Sequence, residues 1–236
     1  MTERGRDQVH RDTHALAVGP SRLDWNGRSL VVDIDERCSP LPRRVRGQVR
    51  LHPAGLSTFS TVLDVAGRHR WGPIAPCARV EVDLEQPSLR WQGNAYFDSN
   101  EGDEPIERGF VRWDWLRAPL ADGRCAVLYD VQPCRGDARL IGARFARDGG
   151  VEPFALDQRH QLPATRWWRV DRRVPVDAPS AVVQRTLEDT PFYARSLLRM
   201  SLGGEPVDAM HETLDVARLT SPAVQRLLPW RMPRVA

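Results

Sequence analysis

Residues 44 to 51 read Arg-Val-Arg-Gly-Gln-Val-Arg-Leu, and residues 79 to 84 read Arg-Val-Glu-Val-Asp-Leu. Alternation of this kind suits one conformation. Successive side chains of a strand point to opposite faces, so a period of two gives one apolar and one polar face. A helix built on the same pattern would spread its valines around the whole cylinder. The punctuation agrees. Asp122-Gly123, Asp148-Gly149 and Gly203-Gly204 each sit between strand-like runs, and such pairs favour the tight turns of hairpins. Nineteen Pro and 17 Gly, spread evenly, suit many short strands joined by loops.

Helical signals are few. Ser221-Pro222 predicts a short helix with Pro at its first position, running through Leu228 and stopped by Pro229. Residues 190 to 202 place Phe192, Leu197 and Leu198 at loosely helical spacing, but the Gly-Gly turn and the run beyond it favour a strand. The sequence thus predicts a mainly β chain. A weak boundary near 116 to 124, where LRAPLADGR interrupts the strand pattern, divides it into 1–118 and 119–236.

Composition narrows the function. All 34 basic residues are Arg, which removes Schiff-base lysines and the P-loop lysine. Net charge is only +3, with the Arg residues scattered among 31 acids, so no concentrated basic stripe marks a nucleic-acid surface. Cys38, Cys77, Cys125 and Cys134 form no CxxC pair, which argues against a zinc site and for inert, reduced thiols in a cytoplasmic setting. No apolar run approaches the roughly 18 residues of a membrane-spanning helix. No Gly-rich nucleotide loop or nucleophile elbow is present, so the expectation is a site with no cofactor and no metal.

The richest stretch is 91 to 117, WQGNAYFDSNEGDEPIERGFVRWDWLR. It holds Trp91, Tyr96, Phe97, Phe110, Trp113 and Trp115, six of the chain's 17 aromatic residues (8 Trp, 3 Tyr, 6 Phe). Among them lie Asp98, Asn100, Glu101, Asp103, Glu104 and Glu107. A carboxyl group against aromatic walls is favoured in its neutral form and can serve as an acid. Aromatic faces also stabilise cations. Together these can protonate a carbon–carbon double bond and hold the resulting carbocation. The plainer reading is a solvated acidic turn with tryptophans packed in a core. A calcium loop of the EF-hand type is excluded, because its sixth and twelfth positions, Gly and Glu, are Asp103 and Gly109 here. His69 and His211 read as structural hydrogen-bonding residues. Asn100, Glu101 and Glu104 read as loop residues before they read as water-positioning ones.

The segment Tyr96-Phe97-Asp98-Ser99-Asn100-Glu101-Gly102, then Pro105, then Phe110-Val111-Arg112-Trp113-Asp114-Trp115, resembles the signature of the carotenoid 1,2-hydratases, or hydroxyneurosporene synthases. MTERG at 1 to 5, GPSRLDW at 19 to 25, RRVRGQVRL at 43 to 51, HRWGPIAP at 69 to 76, LEDTPFYARS at 187 to 196, MHETLD at 210 to 215 and LLPWRMPR at 227 to 234 resemble the family in the same order. Two departures stand out. MTERG looks like an interior segment of the family, so the chain is expected to begin late, and Cys77 stands where Arg is expected. The resemblance implies a lipocalin-like architecture of two antiparallel β-barrel or sandwich halves with an apolar cavity. Residues 1–118 would be the remainder of the first half and 119–236 the second. It implies a cofactor-independent hydro-lyase that adds water to the terminal C1–C2 double bond of an acyclic carotenoid of the neurosporene or lycopene type. Asp98 would be the general acid, with Trp71 and Tyr96 lining the pocket and stabilising the cation. The partners would be the carotenoid and water, with peripheral membrane contact and no nucleic acid. The tail LLPWRMPRVA is expected to pack across a barrel mouth. Two other readings stay open on the residues themselves: a non-catalytic lipocalin-like binder of an apolar isoprenoid, and a glycan-handling β protein.

Overall fold

The computed structural model describes residues 3–39, 41–156, 158–177, 180–231 and 234–235, with no side-chain account for Glu3 or from residue 229 onward. Strands make up 60% of the chain and helices 8%, so it is mainly β, in antiparallel sheets, as the alternation requires. The chain forms two compact units, one of residues 1–54, 78–96 and 225–236, the other of residues 55–77 and 97–224.

The first unit is an antiparallel meander. Strands Val9–Arg11, Ala15–Val18, Ser21–Trp25, Leu30–Arg37 and Arg44–Pro53 pair in sequence order, and residues 78–86 of the strand His69–Gln86 pair onto the last. Register turns the alternation into faces. Val32, Val49 and Val82 lie side by side, while Asp33, Gln48 and Asp83 share the opposite face. Gly47, at φ 145°, sits at a register shift where an added Cβ would collide with the Asp83 carbonyl and the Leu84 backbone, so only glycine fits.

The second unit is built on a seven-stranded sheet. Its order is Val151–Pro153, Arg139–Phe145, Cys125–Pro133, Phe110–Pro119, Glu205–Asp215, Tyr193–Leu202, Val182–Asp189. The hairpin turns stand where the dipeptides place them: Asp122-Gly123, Asp148-Gly149 and Gly203-Gly204 join paired strands. Gly203 and Gly204 both adopt left-handed backbone, φ 64° and 81°, as a tight two-residue hairpin demands. Residues 193–202 form a strand, not a helix. A two-stranded ribbon, Gln158–Leu162 with Arg172–Val176, packs on one face of the sheet. Leu116, Leu128, Val174 and Leu198 are fully buried in that contact. Burying each is worth roughly 1.5–3 kcal/mol.

The same face carries charge. Asp114 and Asp130 stand directly opposite each other on neighbouring strands, both buried. Like charges in that position repel. Three guanidinium groups offset them. Arg159 grips Asp130 at 2.7 and 2.9 Å, Arg112 grips Asp114 at 2.8 and 3.0 Å, and Arg173 lies 3.5 Å from one aspartate and 3.7 Å from the other. The Thr213 hydroxyl donates to Asp114. His211, fully buried beside this cluster, has its Nε2 3.0 Å from the Arg173 carbonyl, which matches the structural role read from the sequence.

The predicted helix begins at Pro222 but continues through Pro229 to Arg231. Proline withdraws a single backbone N–H, and the two residues after it complete the last turn. The expected packing of the tail lies outside the described residues, since its side chains from 229 onward are not described. No helix among the described residues is long and apolar enough to cross a membrane.

Candidate active site

The other face of the seven-stranded sheet holds the aromatic residues. Strand parity decides this. On Phe110–Pro119 the even positions Asp114 and Leu116 face the ribbon, so Trp113 and Trp115 point the opposite way. Register sets Trp115 beside Tyr129, which shares their face. Residues 59, 71 and 98 to 100 of the same unit meet this surface.

Trp71 is fully buried, and its indole Nε1 donates to Asp98 Oδ2 at 2.9 Å. Rings surround that contact. Trp71 meets Tyr129 edge-on at 5.4 Å between centroids and Phe59 at 6.0 Å. Tyr129 meets Trp113 at 6.0 Å, and Phe59 meets Phe145 at 5.7 Å. Such edge-to-face pairs add roughly 0.5–1.5 kcal/mol each beyond their buried area, so the group is a stiff wall. The Tyr129 hydroxyl lies 3.4 Å from Asn100 Oδ1, a long hydrogen bond. Burial pushes the Tyr129 phenol well up, and the carboxylates of Asp98 and Glu212 push it further, so it stays protonated and can donate.

The indole N–H has chemical consequences. It can only donate, so Asp98 Oδ2 must present a lone pair to it. A proton on Asp98 is thereby favoured on Oδ1, because the carbonyl oxygen of a neutral carboxyl group is the stronger acceptor.

One step along the same strands lies a hollow of about 230 Å³, lined by His69, Asn100, Glu101, Glu104, Phe110 and Trp113 among others. A water occupies about 30 Å³ of liquid, so the hollow has room for several waters or the end of one apolar chain. His69 is buried there against Phe110, at 4.8 Å, and its ring fits between two glycines: an added Cβ on Gly102 would lie 2.8 Å from Nδ1, and one on Gly109 would lie 2.5 Å from Nε2. Its Nε2 has no hydrogen-bond partner among the described residues, so the structural hydrogen bond expected for His69 is not found at that atom. Asp64, His69 and Glu104 bring potential ligand atoms within 4.8 Å of one another and are the residues that could hold a metal. The Arg68 guanidinium, 2.6 Å from Glu104, already supplies positive charge there. A larger hollow of about 900 Å³ lies in the first unit, but Asp33, Asp35, Glu81, Asp83, Arg46 and Arg90 line it, the wrong chemistry for an apolar ligand.

Of the residues singled out by sequence, Asp98 and Trp71 are in direct contact. Tyr96 is half-buried and belongs to the first unit, two residues before Asp98 on the strand Leu89–Gly102. Trp113 joins the aromatic wall, and Asn100, Glu101 and Glu104 line the small hollow. Sequence reasoning missed Tyr129, Phe59 and Phe145. Each is a lone aromatic in an apolar or loop setting, and no local pattern marks it. The four cysteines are free thiols, with Cys77 and Cys125 buried. Burial pushes the Cys125 thiol up to about 11 and raises Cys77 as well, which suits inert residues.

Comparison with known proteins gives a consistent result. The sequence model of the family described as carotenoid hydratase CrtC matches residues 1–236. The chain is 52% identical over 237 residues to the acyclic carotenoid 1,2-hydratase of Rubrivivax gelatinosus, an alignment covering all of this chain and 58% of that protein. It is 48% identical to the acyclic carotenoid 1,2-hydratase of Thiocapsa roseopersicina, again over 58% of that protein's length. It is 37% identical to that of Cereibacter sphaeroides, covering 84% of that protein. The chain thus spans less than two thirds of the first two relatives.

Proposed function

We propose the function from one premise: the chain belongs to the carotenoid hydratase CrtC family. The proposed reaction adds water across the terminal C1–C2 double bond of an acyclic carotenoid and yields a tertiary alcohol. The observation that carries it is the Trp71–Asp98 hydrogen bond set within a wall of rings.

In the proposed sequence, Asp98 Oδ1–H gives its proton to C2. The π electrons form the new C–H bond and leave a tertiary cation at C1. Trp71 and Tyr129 offer electron-rich rings near the developing charge, each contact worth ~1–2 kcal/mol once desolvated. Tyr96 takes the same role by its match to the family motif. Water then adds to C1, and the proton lost from the oxonium restores Asp98 or passes to solvent. One water is consumed, and no net proton, electron or cofactor is required. The hollow beside Asn100 and His69 is the proposed source of that water, since Asn100, Glu101, Glu104 and His69 bring polar groups to an otherwise apolar lining and it adjoins the acid along the strand. The carotenoid is a membrane-borne substrate, so the enzyme is proposed to work in peripheral contact with lipid on the cytoplasmic side.

The test is incubation with lycopene or neurosporene in membranes, with products separated by chromatography and weighed. A gain of one water per modified end is expected. Asp98→Asn should lose at least ~10²-fold in rate, the usual worth of a general acid. Folded protein that gives no product, or an Asp98→Asn variant that keeps full rate, would sink the assignment.

A further inference from the structure

An unusual surface feature lies on the loop that joins the two ribbon strands. Arg166, Trp167, Trp168 and Arg169 are all exposed, Trp167 at 76% and Trp168 at 47%, between Thr165 and Val170, which are both fully buried. Tryptophan is among the costliest side chains to leave in water, and two adjacent ones need a reason.

The exposure is built, not incidental. Thr165 and Val170 close the base of the loop, with the Thr165 N–H donating to the Val170 carbonyl at 3.0 Å and the Val170 N–H donating to Thr165 Oγ1 at 2.9 Å. Asp189 accepts the backbone N–H groups of Trp167 and Trp168 at 2.7 and 3.3 Å. Arg218 donates to the carbonyls of Trp168 and Arg169 at 2.7 and 3.1 Å. Arg169 adopts a left-handed backbone, φ 52°, which a residue with a Cβ seldom does. So the backbone is tied from three sides while its four side chains stand exposed. Arg166 lies 5.3 Å over the Trp167 ring, and neither Arg166 nor Arg169 has an ion-pair partner among the described residues.

We propose that this loop is the contact with a lipid bilayer surface. Indole rings favour the headgroup zone, where the apolar body is buried and the N–H stays wet. Flanking guanidinium groups are drawn to anionic headgroups. A preformed loop loses little entropy on docking. The inference rests on the hydration reading, which requires a lipid-borne substrate, and it assigns that contact to four residues.

The experiment is cosedimentation of the full chain with vesicles of phosphatidylcholine alone and of phosphatidylcholine with phosphatidylglycerol. Wild type should partition onto both and more onto the anionic ones. W167S/W168S should lose about tenfold or more on both, the scale of withdrawing two large rings from an interface. R166Q/R169Q should lose only the anionic preference. The single Trp167→Ser change, at the most exposed site, serves if the double variant does not fold. Unchanged partition of the tryptophan variants overturns the proposal. So does light scattering that shows wild type self-associated and W167S/W168S dissociated with partition intact, which would make the loop an interface between two copies. Conversion is followed in parallel. W167S/W168S should hydrate detergent-dispersed carotenoid as wild type does, but carotenoid in vesicles more slowly. Wild type inactive in both media would remove the hydration reading while the partition result still decides the loop.

Discussion

At residue 71 one ring does two things: it packs in the aromatic wall and it donates a hydrogen bond to Asp98. These separate by substitution. Trp71→Phe keeps an aromatic face and removes the N–H that meets Asp98 Oδ2, so activity should fall by roughly tenfold or more while a cooperative thermal melt persists, the hydrogen bond to the carboxylate that proton transfer leaves behind being worth about 1.5–3 kcal/mol. Full activity in Trp71→Phe would show that the indole N–H has no part in presenting the proton. Tyr129→Phe is the matched test on the far side of the wall: it keeps the ring contacts and loses only a long hydrogen bond, so a drop no greater than ~10-fold is expected, read as initial rate on the same substrate. Asp98 and Trp71 were legible from the sequence because their motifs are local and distinctive. Tyr129 and Phe59 were not. They meet Trp71 only through strand register, and nothing in CAVLYDVQP or in LSTFS records which ring lies across the sheet.

Among the elements, the strand Phe110–Pro119 shows how alternation was both informative and incomplete. Trp113 and Trp115, two positions apart in the sequence, fall on one face of it. Alternation did not announce that Asp114 would lie buried opposite Asp130, because an acidic residue at an alternating position reads as solvent-facing. The compensating arginines come from positions 112, 159 and 173, and no short-range pattern links them. Asp130→Ala should therefore cost about 1–3 kcal/mol by chemical denaturation, since it removes two charge-assisted hydrogen bonds from Arg159, whose guanidinium is partly in water, and relieves the repulsion with Asp114. A loss under about 1 kcal/mol would mean that the cluster is hydrated and carries little. The hairpins were legible because left-handed backbone asks for glycine in the sequence itself. The end of the helix Pro222–Arg231 was not, since a proline in the last turn removes too little to stop it.

For the whole molecule, stability should depend on pH through His211. Burial holds its imidazole below the ordinary value of 6.5, with the Asp114 carboxylate only partly opposing this. Unfolded chain takes up a proton near pH 6.5, and folded chain does so only at lower pH. Between those points the unfolded state binds more protons, so stability is full above pH 6.5 and falls as pH drops below it. Melting curves from pH 7.5 to 5 should show that decline, and His211→Asn should flatten it. An equal slope in both proteins would place the dependence elsewhere. The division of labour across one strand has a consequence for how such a sequence can change. Beyond the register shift at Phe110, Trp113 and Trp115 face the aromatic wall while Asp114 and Leu116 face the ribbon. A single inserted residue would swap them, turning an aspartate toward the rings and a tryptophan toward the arginines. Point changes at either face can be absorbed one at a time, but the reading frame of that strand against its neighbours cannot slip. Lineages of this fold should vary in the letters of the strand long before they vary in its count.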